Sequence, residues 1–275
     1  MLLKKAYAPK HEENRMKQEG DVVAARKLYD SDPPTNLKYL IEQRFSWMNG
    51  YIDAENAVGV EIGCGTGVSK DFIRARSYQI TDYAKHEWID VKMVDALNTP
   101  FEDESQDFVV SSNMVHHVPY PIRLFDEMHR ILKPGGVLLI QEINCSLMMR
   151  IVLRLMRHEG YNYDVNVFDP ELICTDPQDL WSANVAIPNL LFDDKKKFAN
   201  HVTNFELERS TFSEFLLFLN SGGVIAKTRY VPLNRPLLRL VQGIDILLSV
   251  IAPQVFSLQR QVVLRKNLIL SHAAK

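Results

Sequence analysis

The sequence predicts one large α/β domain built on a mostly parallel sheet. Two observations predict this fold class. Short apolar runs alternate with amphipathic stretches through the middle of the chain, and the first of these runs leads into a glycine-rich loop. The chain has 275 residues, of which 46% are hydrophobic, which is enough for one large core with insertions.

The predicted strands are short and apolar. They lie at 57–62, 79–81, 91–94, 108–111 and 137–142, and two later runs at 205–212 and 261–265 would close the sheet. An inward apolar stripe predicts a helix over about 121–132, which the Lys-Pro-Gly-Gly turn at 133–136 would separate from the next strand. Alternating strands and helices favour right-handed crossover connections in a parallel sheet.

The flanking regions have a different pattern. Residues 1–56 carry apolar side chains at three- and four-residue spacing, which predicts a helical cap. Residues 145–200 lose the alternation but are too apolar to stay disordered, and a second helical insertion is expected at 213–258. We therefore expect a main domain at 57–275 with two insertions.

Composition and charge exclude several classes of function. The net charge is −2 with acids and bases intermixed, so we expect no nucleic-acid partner. The three cysteines form no Cys-x-x-Cys pair, and no secretion signal is visible, which favours the cytoplasm. The apolar stretch Leu237–Phe256 is interrupted by Arg239, Asp245 and Pro253. It is interpreted as a helix docked on the insertion, with peripheral contact to the inner membrane face as the alternative.

The strongest local signal is the run from Val58 to Gly67, an apolar strand followed by glycines at 63, 65 and 67. Such a loop lets the backbone approach a nucleotide-type ligand closely. Val68 stands where a dinucleotide-binding loop needs its third glycine, and the spacing of a P-loop is absent from the run. Glu61, expected at the mouth of the loop, would repel a pyrophosphate and favour a cofactor that carries an ammonium and a sulfonium.

Acidic residues follow the next two predicted strands. Asp82 ends the second strand, where a carboxylate accepts ribose hydroxyls, and the helix between it and the loop must be brief. Asp95 and Ala96 follow the third strand, where they could meet adenine. Either aspartate could instead be an ordinary helix cap.

Together these pieces resemble the class I S-adenosylmethionine-dependent methyltransferases, in particular the methyltransferase type 11 or UbiE-like branch. The matching stretches are Glu61–Gly67, Asp82, 94–96 with 100–101, 106–108, 115–119 and 130–136. The resemblance implies a Rossmann-like fold with a mostly parallel seven-stranded sheet, and S-adenosylmethionine as the cofactor. It implies these cofactor-binding residues: Glu61, Gly63, Gly65, Gly67, Asp82, Asp95 and Ala96. Asn113, which follows the fourth strand, completes the predicted set.

His116 and His117 follow the fourth predicted strand, at the edge where α/β proteins bind ligands. His116 is the candidate general base, with a positioning or packing role as the alternative. We predict no metal, because no third ligand stands at a recognisable spacing from the two histidines.

No pattern in the sequence identifies the methyl acceptor. We expect a small molecule, with a sugar or lipid-linked precursor as the leading candidate. Two alternatives are a non-catalytic S-adenosylmethionine-binding subunit and a nicotinamide-dependent oxidoreductase. The residue at Val68 counts against the oxidoreductase.

Overall fold

The computed structural model describes residues 4–10, 22–157, 159–179, 181–225 and 227–268. Its strands in this part of the chain are β1 Ala6–Tyr7, β2 Val58–Ile62, β3 Ser77–Asp82, β4 Val91–Lys92, β5 Gln106–Ser112, β6 Leu132–Ile143, β7 Tyr161–Asn162, β8 Phe205–Ser213 and β9 Gln259–Lys266. The helices are α1 Val22–Ser31, α2 Thr35–Ser46, α3 Pro121–Ile131, α4 Leu147–Met156, α5 Ile187–Phe192, α6 Lys195–His201, α7 Leu216–Leu219, α8 Arg235–Ile251 and α9 Pro253–Phe256.

Seven strands form one sheet in the order β4-β3-β2-β5-β6-β9-β8. All pairs from β4 to β6 are parallel, and β9 runs antiparallel to both of its neighbours. The predicted mostly parallel seven-stranded sheet is therefore confirmed. Between β2 and β5 the order of successive strands switches from one side of the sheet to the other. Ligands bind beside the carboxyl ends of the strands at such a switch point.

Both faces of the sheet are covered because alternate side chains of each strand point to opposite sides. Val60 and Ile62 of β2 face a core that includes α3, α5 and α6. The other face packs against α2 and the 3₁₀ turn Trp47–Tyr51. The predicted helical cap thus covers one layer of the domain.

The N-terminal region is not wholly helical. Ala6 and Tyr7 form β1, which pairs antiparallel with Tyr161 and Asn162 of β7. This two-stranded sheet joins the first described residues to the first insertion. A two-residue strand leaves no periodic signal in a sequence, so the prediction missed it.

The structure differs from the sequence prediction at residues 133–136. Leu132 already pairs with Gln106, and Val137 pairs with Phe108, so the Lys-Pro-Gly-Gly segment is an irregularity inside β6. Gly135 takes the left-handed conformation there, with φ of 80°. The segment therefore begins the strand as a bulge and does not separate it from the helix.

Candidate cofactor site and histidine cluster

The glycine loop follows β2 directly and bends with a left-handed backbone at Gly63, Gly65 and Gly67, where φ is 70°, 52° and 66°. A Cβ at Gly67 would lie 2.6 Å from Ile80 Cδ1, and a Cβ at Gly63 would lie 2.4 Å from Met114 Cγ. A Cβ at Gly65 would have no heavy atom of the described residues within 4 Å. Gly63 and Gly67 are therefore fixed by packing, whereas Gly65 faces open space in which a ligand can lie.

Asp82, at the end of β3, holds this loop. Its Oδ2 accepts a hydrogen bond from the Gly65 N–H at 2.8 Å, and its Oδ1 accepts one from the Ala84 N–H at 2.9 Å. The only helical segment that the structure describes between the loop and β3 is the 3₁₀ turn Val68–Asp71, as the short interval predicts. Each carboxylate oxygen keeps a second lone pair for a ligand hydroxyl. The ribose assignment of Asp82 stays a prediction, with its side chain beside Gly65.

The other side of the loop is covered by two residues that sequence reasoning missed. Trp88 Nε1 donates to the Gly65 carbonyl at 3.0 Å, and Arg26 of α1 donates to the Thr66 carbonyl at 3.0 Å. The Arg26 guanidinium lies 5.8 Å from the centre of the Trp88 ring. Neither residue belongs to a motif, because both reach the loop from outside its own sequence.

Glu61 does not lie at the mouth of the loop, which corrects the sequence-based placement. Its side chain is 1% exposed and accepts hydrogen bonds from the Ser69 hydroxyl and, at 3.1 Å, from the Tyr78 hydroxyl. Burial raises the pKa of Glu61 to about 8. Because Glu61 lies on the opposite face of β2 from Val60 and Ile62, its carboxyl group supports the loop from inside.

The remaining predicted cofactor residues lie at the carboxyl ends of the neighbouring strands. Asp95 is exposed, and its Oδ1 accepts from the Leu97 N–H at 2.9 Å. Ala96 is half-buried against the core. Asn113 follows β5 with φ of 51°, and its Oδ1 accepts from Gln259 Nε2 at 2.9 Å. The Asp95 side chain is thus open to a ligand, while that of Asn113 already has a partner.

His116 lies in the 3₁₀ turn Val115–His117, just after β5, with a side chain that is 1% exposed. Its Nδ1 lies 2.6 Å from Oε1 and 2.8 Å from Oε2 of Glu142 on β6. Burial lowers the pKa of His116, but the negative charges of Glu142 and Glu159 outweigh it and raise the pKa to about 10. The contact between Nδ1 and the Glu142 carboxylate fixes the orientation of this buried ring, so the geometry favours the positioning role.

Sequence reasoning did not group Glu142 and Glu159 with the histidines. Glu142 is fully buried near the end of β6, and Glu159 comes from the first insertion. A signal was present only for Glu142, since a charged residue in an otherwise apolar strand needs a buried partner. Glu159 lies next to both rings in the folded chain, a neighbour that the sequence spacing did not reveal.

Part of the chain is similar to known methyltransferases. Residues 60–140 match the Methyltransf_11 model, described as a methyltransferase domain. The chain is 36% identical over 93 residues to "Probable tRNA methyltransferase 9B" of Mus musculus, an alignment covering 29% of this chain and 20% of that protein. It is 28% identical over 132 residues to "Sterol 24-C-methyltransferase erg6" of Schizosaccharomyces pombe, covering 42% and 35% of the two chains.

A third relative is "Demethylmenaquinone methyltransferase" of Staphylococcus epidermidis, 44% identical over 48 residues, which are 18% of this chain and 20% of that one. The chain thus spans about a fifth of the length of the first curated relatives it matches. A solved structure from Galdieria sulphuraria, titled a putative sarcosine dimethylglycine methyltransferase, superposes with a TM-score of 0.46 at 17% identity, covering 83% and 84% of the two chains. The fold assignment comes from the strand order and not from this likeness.

Proposed function

We propose that this chain, which carries a class I S-adenosylmethionine-dependent methyltransferase domain, methylates a lipid-linked acceptor at a membrane surface. The apolar outer face of α8 is the observation that carries the choice of acceptor. The printed names of the relatives refer to tRNA, a sterol and demethylmenaquinone, so they do not select one acceptor class.

The glycine loop fits the cofactor. The open space at Gly65 allows close approach of a ligand, and the Asp82 carboxylate beside it can accept two ribose hydroxyls. Asp95 offers an exposed carboxylate at the end of β4 for an amino group. When bound, S-adenosylmethionine supplies a methyl group on a sulfonium, from which the thioether departs as a good leaving group. The chain's own contribution is then alignment of the two substrates and exclusion of water.

The lipid-facing part of the proposal depends on the pattern of α8. Leu238, Asp245 and Ser249 are buried against the body of the protein, and Asp245 accepts main-chain hydrogen bonds from residues 215–217 at 2.9–3.0 Å. The opposite side carries exposed apolar residues at three- and four-residue spacing: Leu237, Leu240, Ile244, Leu247 and Ile251. Asp245, which interrupts the apolar stretch in the sequence, therefore points inward and anchors the helix. The outer stripe is left wholly apolar.

The charges around this stripe fit an anionic lipid surface. Arg235 and Arg239 are exposed in the first half of α8, and Lys227 and Arg229 are exposed in the segment that precedes it. Apolar side chains flanked by cations are typical of helices that lie in the plane of a membrane interface. Within the described residues, no helix is both long and apolar enough to cross a bilayer.

A transfer assay with matched surface variants tests this proposal. The protein is incubated with S-adenosylmethionine carrying a tritiated methyl group and with a total lipid extract, and the label is counted after solvent partition. We expect label in the organic phase, and Leu240→Glu with Leu247→Glu should reduce it at least tenfold, because two charges oppose contact with lipid. Leu155→Glu, at a leucine on α4 that is also exposed, is the control and should keep full transfer.

Label found in added tRNA and not in the organic phase would contradict the lipid-linked acceptor. Equal transfer by the α8 variant and the wild type would remove the helix from acceptor recognition. Binding to vesicles with phosphatidylserine, measured by sedimentation, should fall in the same α8 variant and not in Leu155→Glu.

A further inference from the structure

The rings of His116 and His117 both face the carboxylate of Glu159. His116 Nε2 lies 3.5 Å from Glu159 Oε2, and His117 Nε2 lies 3.7 Å from Glu159 Oε1. One nitrogen of each histidine and one oxygen of Glu159 all lie within 4.8 Å of one another. Two residues of a single turn thus converge with a residue from the first insertion.

The other nitrogen of each ring has an acceptor that sets its tautomer. The Ser182 carbonyl lies 3.0 Å from His117 Nδ1 and can only accept, so this nitrogen carries the proton. The Glu142 carboxylate, 2.6 Å from His116 Nδ1, fixes the second ring in the same way. Once a metal ion displaces any Nε2 proton, both histidines can therefore direct an Nε2 lone pair toward Glu159. Such outer hydrogen bonds are a usual feature of histidines that bind metal.

The separations suit metal ligands better than hydrogen bonds. Ligand atoms about 2.0–2.1 Å from a tetrahedral zinc ion are about 3.3–3.4 Å apart, whereas N–H···O hydrogen bonds cluster at about 2.9–3.0 Å. His116 Nε2 is buried and makes no hydrogen bond to any residue that the structure describes. A polar atom in this position needs an explanation, and an ion between the three side chains supplies one.

We propose that His116, His117 and Glu159 form a site for a divalent transition metal of the zinc class. Two imidazoles and one carboxylate are a donor set that zinc accepts, with a fourth position left for water or another oxygen ligand. Glu142 and the Ser182 carbonyl orient the two rings. The site is 25% exposed at His117, which gives an ion a route in. The inference stands independently of the methyltransferase proposal.

Zinc binding to the protein itself tests the site. Untagged protein is stripped with a chelator, dialysed and titrated with zinc sulfate by calorimetry, without any cofactor present. We expect one equivalent of zinc per chain, at least tenfold weaker binding after His117→Ala or Glu159→Gln, and unchanged binding after His201→Ala. His201 is an exposed histidine on α6 and serves as the matched control.

Thermal melting of the stripped proteins separates ion binding from folding. Glu159→Gln keeps the size of the side chain, so a variant that melts like the wild type but binds zinc weakly supports the site. No uptake by the wild type would overturn the inference, as would equal uptake by the wild type and both ligand variants. Cobalt(II) should give visible absorption bands in the wild type that weaken in the same two variants.

Discussion

At the carboxyl ends of β3 and β4, aspartates accept hydrogen bonds from main-chain N–H groups, whereas Glu142 and Glu214 pair with the buried side chains of His116 and Arg44. Asp82 accepts from the N–H of Ala84, two residues later, and from that of Gly65, 17 residues earlier in the neighbouring loop. Glu214 instead forms a two-pronged pair with Arg44 of α2, at 2.8–3.2 Å, and both side chains are nearly fully buried. The first arrangement leaves oxygen lone pairs for a ligand. In the second, the carboxylate is neutralised by its buried partner, and the pair holds distant segments together.

The largest effect should follow from breaking the buried pair. Arg44→Met leaves the Glu214 carboxylate without its cation, so we expect the free energy of unfolding to fall by about 3–5 kcal/mol. Arg235→Met is the control, since its bond to Glu42 at 2.8 Å lies at the surface and should contribute about 0–1 kcal/mol. Urea denaturation measures both variants. Equal losses would mean that burial does not separate the two kinds of pair.

A pH dependence should distinguish the carboxyl group of Glu61 from the open aspartates. Burial raises the pKa of Glu61 from 4.5 to about 8 in the folded chain, so the folded state binds more protons than the unfolded state between these values. The contribution of Glu61 to stability therefore decreases as pH rises from about 5 to 8, by no more than about 1.4 kcal/mol per pH unit.

Glu61→Gln removes this titration. Unfolding free energies of the wild type and the variant, measured across the same pH range, should diverge in favour of the glutamine as pH increases. Parallel curves would show that the buried carboxyl group is not the source of the slope.

Substitutions of two glycines in one loop should have different effects, one on cofactor binding and the other on stability. Gly65→Ala directs its methyl group into open space, so we expect at least about 100-fold weaker cofactor binding, near 2.7 kcal/mol, and a stability loss of only about 1–2 kcal/mol from the left-handed backbone. Gly67→Ala has the same backbone cost and also collides with Ile80. Calorimetry and thermal melting together should show lost binding in the first variant and the larger lost stability in the second.

Asp82→Ala should produce the smallest change of this set. If this carboxylate accepts the ribose hydroxyls as predicted, its loss should weaken cofactor binding by about 1–3 kcal/mol. Asp90→Ala is a matched control, because Asp90 also accepts a main-chain hydrogen bond, from Ile80 at 2.9 Å, but it is not among the predicted cofactor residues. Unchanged affinity in Asp82→Ala would make the ribose assignment wrong.

The same contrast explains what the sequence could predict. The strands, α3, the glycine loop and the position of Asp82 follow from local patterns of apolar and turn residues. A methyltransferase domain and its cofactor were predicted from several such patterns in a fixed order, and residues 60–140 match a methyltransferase domain model.

Features that depend on distant partners were not predictable in this way. Glu61 looks ligand-facing in the sequence, because only the fold brings Ser69 and Tyr78 against its carboxyl group. Glu159 lies beside the two histidines, but it belongs to an insertion whose sequence has no strand periodicity. The apolar stripe of α8 becomes visible only once Asp245 is known to point inward.

Calorimetric titration of the purified protein with S-adenosylmethionine and S-adenosylhomocysteine, with NADH as the control, tests the central claim most directly. The account predicts micromolar binding of both sulfur compounds at one site per chain, loss of that binding in Gly65→Ala and no binding of NADH. Binding of NADH alone, or of none of the three ligands, would contradict it.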